Sequence, residues 1–249
     1  MYLCYMEEER LDKIILQRGL MSSRVRCEKI IQESGVLVNG KLVNKPGKKF
    51  PLDVKIDLLS EEIPWVSRGA LKLEKAREYW NIDFDGKTVL DIGASTGGFT
   101  EVALVNGAEK VFCVDVGSNQ LHDKIRSNPK VVNLEKTHVR ELTNKLIPEL
   151  IDIVVIDVSF ISLEKIFPFT HGFIKPEGKV IALVKPQFEV GKENVGKGGI
   201  VKNKSLYPIV IEGIAEAGKD NYLQRTDYIE SPILGGDGNM EFLMLFTKC

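Results

Sequence analysis

Apolar positions along this chain change their period twice, and the changes divide it. Residues 9–20 place Leu11, Ile14 and Ile15 on one face with Arg10, Lys13 and Arg18 elsewhere, the spacing of an amphipathic helix that Gly19 ends. Ser22 or Ser23 caps a second helix, Arg24 to Glu33, with Val25, Cys27, Ile30 and Ile31 as its apolar side and Gly35 as its stop. Val36 to Val43 then alternates about Asn39-Gly40, the strongest short hairpin signal available, and Val54 to Leu58 adds a strand. Ser60-Glu61-Glu62-Ile63-Pro64 breaks every period, and Trp65-Val66 offers an apolar contact between the two parts.

Beyond it the pattern alternates at longer intervals. Ser67 caps a helix running to Trp80, with Leu73, Ala76 and Trp80 as its buried stripe. Strands are predicted at 87–91, 110–115, 130–134, 151–157 and 178–185, with helices near 99–106, 118–126, 138–147, 162–169 and 204–218. Such alternation means a parallel sheet covered on both sides. Leu223 to Glu230 and Glu241 to Thr247 follow with no helix between them and predict an antiparallel hairpin at the sheet's edge. The organisation expected is a small α+β domain over 1–59, a linker over 60–66 and an α/β domain with a seven-stranded sheet over 67–249.

Composition adds bounds. An apolar share of 43% suffices for cores, and the net charge of −1 hides an asymmetry. Residues 1–60 carry 11 basic and 8 acidic side chains, an excess that permits nucleic acid at that end. Cys4, Cys27, Cys113 and Cys249 are scattered, as are His122, His138 and His171, so neither a disulfide framework nor a metal site is expected. No apolar run reaches the roughly 18 residues of a membrane span, and the first residues turn acidic too soon for a signal peptide. A cytoplasmic protein without a membrane partner is expected.

The stretch Lys87 to Thr100 carries the first chemistry. A β-rich run reaches Asp91, passes Gly93, Gly97 and Gly98, and enters a helix at Phe99. A dinucleotide fingerprint wants glycine where Asp91 stands, and a phosphate-cradling loop wants Gly-Lys-Ser/Thr where this chain has Gly98-Phe99. A carboxylate there argues for a cationic or hydroxyl-bearing ligand; the bland alternative is a strand–turn–helix with Asp91 as a helix-end charge. The motif resembles that of the S-adenosylmethionine-dependent methyltransferases, a Rossmann-like fold. That resemblance implies cofactor contacts from Asp91, Gly93, Ser95, Thr96, Gly97, Gly98 and Phe99, from Asp115 at the end of Val111-Phe112-Cys113-Val114, and from Asp157.

The first part, over about residues 9–59, resembles the S4 RNA-binding module in its two helices, Val-Asn-Gly hairpin and scattered cations. The resemblance implies RNA contacts from Arg10, Lys13, Arg24, Arg26, Lys29 and Lys41, which would make binding salt-dependent. A solvated helix face is the plain alternative for each.

Ligands of open α/β sheets bind at the carboxyl ends of the strands, and four charged residues are predicted there. Asp157 ends Ile153 to Ile156, Lys185 ends Val180 to Val184, Glu241 begins an antiparallel strand, and Lys72 lies early in a helix that starts at the same edge. They resemble the Lys-Asp-Lys-Glu tetrad of RNA ribose 2′-O-methyltransferases. Ser67 to Lys72, Asp157-Val158-Ser159-Phe160, Val184 to Glu189, Gly196-Lys197-Gly198-Gly199, Ser231-Pro232-Ile233 and Gly238 to Glu241 narrow the resemblance to the hemolysin-A-like (TlyA) family of ribosomal RNA cytidine 2′-O-methyltransferases. It implies S-adenosylmethionine as cofactor and ribosomal RNA or ribosomal subunits as partner. Lys185 is then expected to take the ribose proton, with Asp157 and Glu241 orienting the lysines.

Pro186 to Asn203 holds Lys192, Lys197, Lys202 and four glycines, and is expected to be a flexible cationic loop over the RNA, with Arg68 nearby. Three rivals make different demands. An RNA-binding protein without catalysis would lack part of the tetrad, a nicotinamide oxidoreductase wants the missing glycine, and a membrane-active hemolysin wants a lipid-seeking segment.

Overall fold

The structure, a computed structural model, describes residues 8–33, 35–58 and 64–249. It divides into two compact units, with the division along the chain between Pro64 and Trp65.

In the first unit, β1 (Glu8–Arg10) leads into α1 (Leu11–Gln17), followed by α2 (Arg24–Glu33), β2 (Val36–Val38), β3 (Lys41–Val43), β4 (Lys49–Pro51) and β5 (Ile56–Leu58). Strand β2 is flanked by β3 and β5, both antiparallel to it, and β1 pairs with β4. That last pairing draws Glu9 and Arg10 into extended backbone, so the first helix starts later than its apolar spacing predicts. Leu11, Ile15, Cys27, Ile31, Val36, Val38 and Val43 form the core. Val25 is 76% exposed, contrary to expectation: two residues from Cys27 is more than half a turn round the helix. Of the two serines, Ser23 Oγ accepts the Arg26 N–H at the start of α2.

In the second unit the order is α3 (Ala70–Trp80), β6 (Thr88–Ile92), α4 (Gly98–Val105), β7 (Lys110–Asp115), α5 (Asp123–Arg126), β8 (Val131–Glu135), β9 (Ile151–Ile156), β10 (Ile174–Val184), α6 (Leu206–Lys219), β11 (Leu223–Glu230) and β12 (Phe242–Lys248). The seven strands lie in the order β11-β12-β10-β9-β6-β7-β8, with β12 antiparallel to both its neighbours. Strands β6 to β10 are parallel. The middle strands read as unbroken apolar runs because both faces are covered. Leu73, Val102 and Ile125 pack on one face, Ile211, Ile214 and Phe167 on the other. Trp65 and Val66 pack against this unit's own core.

Several predicted helices are shorter. The segment at 118–126 has four α-helical residues, and 138–147 has one 3₁₀ turn, where His138 and Glu141 close a reciprocal cap and Leu142 leaves in extended backbone. At 162–169 there are 3₁₀ turns over Leu163–Lys165 and Phe167–Phe169, and Pro168, which has no N–H to donate, lies in the second. The N-cap of α3 is Gly69 and not Ser67, which contributes only its carbonyl, accepting the Ala70 N–H in the turn before the helix. Among the described residues no helix is long and apolar enough to cross a membrane, and no group of three or more His, Cys, Asp or Glu could hold a metal ion.

Candidate active site

The glycine loop after β6 works mainly by close packing. Gly93 has φ +85°, and a side chain there would run into the carbonyl oxygen of Asp157. The Asp157 N–H meanwhile donates to the Ile92 carbonyl at 3.0 Å, so the ends of β6 and β9 are held against each other. At Gly98 a Cβ would strike Ser67 Oγ and lie 3.0 Å from the Ala70 nitrogen; this glycine lets the start of α4 touch the start of α3.

Asp91 is fully buried. One carboxyl oxygen accepts the Thr100 hydroxyl at 2.6 Å, the other has no hydrogen-bond partner, and burial raises the carboxyl to about 7. Thr100 Oγ1 also lies 3.1 Å from the sulfur of Cys113, whose thiol burial pushes up.

A cavity of about 420 Å³ opens at the carboxyl ends of β6, β7 and β9. Of the residues expected at a cofactor, Gly93, Ser95, Asp115 and Asp157 line it. Asp91, Thr96, Gly97, Gly98 and Phe99 are not among its lining: β6 continues past Asp91, and Asp91, Gly97, Gly98 and Phe99 are buried. The Asp115 oxygens accept N–H groups from Ser95 at 2.8 Å and Gly117 at 2.7 Å, leaving each a lone pair for a ligand hydroxyl.

The sequence reading missed Gln120, Thr137 and His138, which line the same cavity, and Glu135 behind them. Glu135 collects the N–H groups of Asn119, Gln120 and Leu121 at 3.0, 2.6 and 3.0 Å, fixing the loop that carries Gln120. These bonds, led by that from Leu121, hold its carboxyl down at about 2. A depressed carboxyl contributes stability that is complete above its unfolded value, about 4.3, and is lost as pH falls towards 2. Glu135→Gln should therefore flatten the decline of the urea midpoint across that window relative to wild type. Parallel declines would show that Glu135 does not hold the loop.

Two ion pairs stand beside the cavity. Lys72 Nζ lies 2.6 Å from Glu241 Oε2, both side chains buried, and Lys185 Nζ lies 2.6 Å from Asp157 Oδ1 and 2.9 Å from Ser159 Oγ. Strand register relates the pairs: Val184 opposes Phe242, so Lys185 and Glu241 are the next residues on the two chains. On the other side, a Cβ at Gly69 would lie 3.8 Å from Asp157 Oδ2, and the Gly69 carbonyl accepts the Lys72 N–H at 2.9 Å.

Phe160, three residues beyond Asp157, entered the sequence reading only as part of a motif, with no role of its own. It is 90% exposed with φ +65°, lines the cavity, and has its ring 5.2 Å from that of Phe188. A phenylalanine held out in strained backbone is costly to fold for its own sake.

The segment 186–203, expected to be a flexible loop, carries three 3₁₀ turns and a Val195–Val201 bridge. Buried Asn239 pins it, accepting the Val201 N–H at 3.0 Å and donating to the Gly199 carbonyl at 2.8 Å. Lys192, Lys197 and Lys202 are exposed on this segment, and Arg68 is exposed before α3.

Among the candidate RNA contacts of the first unit, Arg10 and Arg24 bind the carboxylate of fully buried Asp12 at 2.8 and 3.1 Å. Their guanidinium groups, Arg10 first, hold the Asp12 carboxyl far below the usual range. Lys13 pairs with Glu9 at 3.3 Å, Arg26 donates to Ser22 Oγ at 3.4 Å, and Lys41 is exposed. The Lys29 side chain lies outside the described residues, as do Cys4 and residues 59–63. Lys45, Lys48 and Lys49, passed over in the sequence, are exposed between β3 and β4 and in β4; the run Lys45-Pro46-Gly47-Lys48-Lys49 is the signal that could have found them.

A largely parallel seven-stranded sheet with one antiparallel strand, and a cavity beside the acid that ends its second strand, define a Rossmann-like methyltransferase. The chain belongs to the FtsJ-like methyltransferase family, whose model matches residues 65–248, and an S4 domain matches residues 9–53. It is 41% identical over 243 residues to a candidate rRNA methyltransferase, YqxC, of Bacillus subtilis (strain 168), covering 96% of this chain and 85% of that one. It is 39% identical over 241 residues to the 16S/23S rRNA (cytidine-2′-O)-methyltransferase TlyA of Mycobacterium tuberculosis, covering 96% and 90%. The solved structure of a candidate hemolysin from Streptococcus thermophilus superposes with a TM-score of 0.77 at 39% identity, covering 98% of this chain and 89% of that one.

The cofactor is S-adenosylmethionine, and the site suits it. The volume falls within the range of small-molecule pockets, Asp115 can accept ribose hydroxyls, and the Asp157 carboxylate favours a cation.

Proposed function

We propose that this protein methylates the 2′-hydroxyl of a cytidine in ribosomal RNA in the cytoplasm, with the S4 unit holding the RNA and Lys185 acting as base. The observation that carries the reading is the pair of buried lysines, each clamped by its own carboxylate, beside a cofactor-sized cavity. The name of the Mycobacterium tuberculosis relative supports the choice of RNA and of ribose.

Asp115 and the Gly93–Ser95 turn would hold the cofactor, and Asp157 would face both it and Lys185. Bound there, S-adenosylmethionine would supply an electrophilic methyl whose leaving group is a neutral thioether. Once the Lys185 ammonium has given one proton to solvent, the 2′-O–H bond breaks, its proton passes to the free Lys185 amine, and the oxygen keeps the electron pair for its new bond to carbon. Lys72, paired with Glu241, places a fixed positive charge beside the developing alkoxide. Exposed Phe160 offers a ring face on which the target base can stack. Arg24, Arg26, Lys41 and the Lys45–Lys49 run, with Arg68, Lys192 and Lys197, would grip phosphates.

Labelled methyl transfer to small- and large-subunit ribosomal RNA, free and in particles, tests the reading. Label is expected on the ribose of a cytidine in at least one of them. Label on a base, or on none of these RNAs, would overturn it.

A further inference from the structure

We infer that Ser159 is a positioning residue for the methyl transfer: together with Asp157 it fixes the direction in which Lys185 presents its lone pair to the ribose hydroxyl. The inference rests on the reading of Lys185 as base and goes one residue further. The Lys185 nitrogen has two acceptors within hydrogen-bond reach, Asp157 Oδ1 at 2.6 Å and Ser159 Oγ at 2.9 Å.

A lysine amine able to accept a proton carries two N–H bonds and one lone pair, arranged tetrahedrally. One hydrogen bond, to Asp157, still allows the lone pair either of the two remaining positions about the Cε–Nζ axis. A second acceptor removes that choice. With both N–H groups donated, the lone pair has a single direction left, and proton transfer is sensitive to that direction. Once the 2′-O–H proton has moved to the nitrogen, the ammonium keeps the same two hydrogen bonds and carries the new N–H in the third position. Ser159 thus serves the reactant and the product of the proton transfer without moving.

The residue's surroundings favour this role over a structural one. Ser159 is exposed and lines the cavity, whereas the strand before it is buried without help from its hydroxyl. Removing the hydroxyl opens no void in the core. The chain departs from right-handed backbone directly after it, at Phe160, which turns Ser159 and Phe160 to the same mouth.

The test compares single-turnover methyl transfer by the full chain in wild type, Ser159→Ala, Ser159→Thr and Lys185→Ala, at saturating RNA and cofactor. Equilibrium affinities for RNA and for S-adenosylhomocysteine are measured alongside. Ser159→Ala should slow the saturated rate about tenfold to a hundredfold with both affinities within about twofold, and Ser159→Thr, which keeps the oxygen, should return to within about threefold of wild type. An unchanged Ser159→Ala rate beside an inactive Lys185→Ala would overturn the role of Ser159 and leave the base standing. A loss of RNA affinity at unchanged saturated rate, or no recovery in Ser159→Thr, would also overturn it. An active Lys185→Ala would remove the base reading, and this inference with it.

Discussion

Lys185→Ala is expected to lower methyl transfer by about a thousandfold or more, because a positioned base contributes roughly 10²–10⁴ and this lysine also neutralises Asp157. Cofactor affinity should survive, since Gly93, Ser95 and Asp115 are untouched. Lys185→Arg sharpens the test. It keeps the positive charge beside Asp157 and so protects the fold, but a guanidinium does not give up its proton at any pH the protein tolerates. Calorimetry with S-adenosylhomocysteine and labelled transfer to RNA read the two properties separately. A variant of either kind with undiminished transfer would remove Lys185 from the chemistry.

The second large effect is on stability. Glu241→Ala leaves Lys72, 8% exposed, without its counter-charge, and a buried ion stripped of its partner costs about 3–5 kcal/mol. The double substitution Lys72→Met with Glu241→Met should restore most of the urea midpoint, since removing both charges removes the desolvation penalty with them. It should not restore methyl transfer, because the fixed positive charge is gone. Stability lost equally in the single and double variants would mean that the pair does not act as a unit. Activity retained by the double variant would mean that the charge is unnecessary.

What could be read from the chain follows from the range over which each signal acts. Apolar runs that end in one polar residue locate strand ends, and Asp115, Asp157 and Lys185 lie at or one residue beyond the ends of β7, β9 and β10. The antiparallel return that carries Glu241 to the same edge was legible too, from two β runs without a helix between them. Depth within the sheet was not. Asp91 reads from its motif as the acid that ends its strand and meets the ligand, yet β6 runs one residue further and the carboxylate is completely buried. Gly93 lines the cavity and also admits the backbone of Asp157, a neighbour 64 positions away that no local pattern marks. That Arg10 and Arg24 share a buried carboxylate was not legible either, because nothing local announces that Asp12 lies buried beside them.

The Lys72–Glu241 pair spans 169 positions, and it cannot close until β12 has entered between β10 and β11. Gly93, Ser95 and Asp115, by contrast, lie on consecutive strands whose pairing needs only a short crossover. Closing a long loop costs entropy before any contact repays it, so distant pairings tend to form late. The two halves of the site therefore differ in contact order: the cavity wall of Gly93, Ser95 and Asp115 is assembled from near neighbours, the buried ion pair from remote ones. On the proposed roles, a partly folded chain would grasp its small molecule before it could use it.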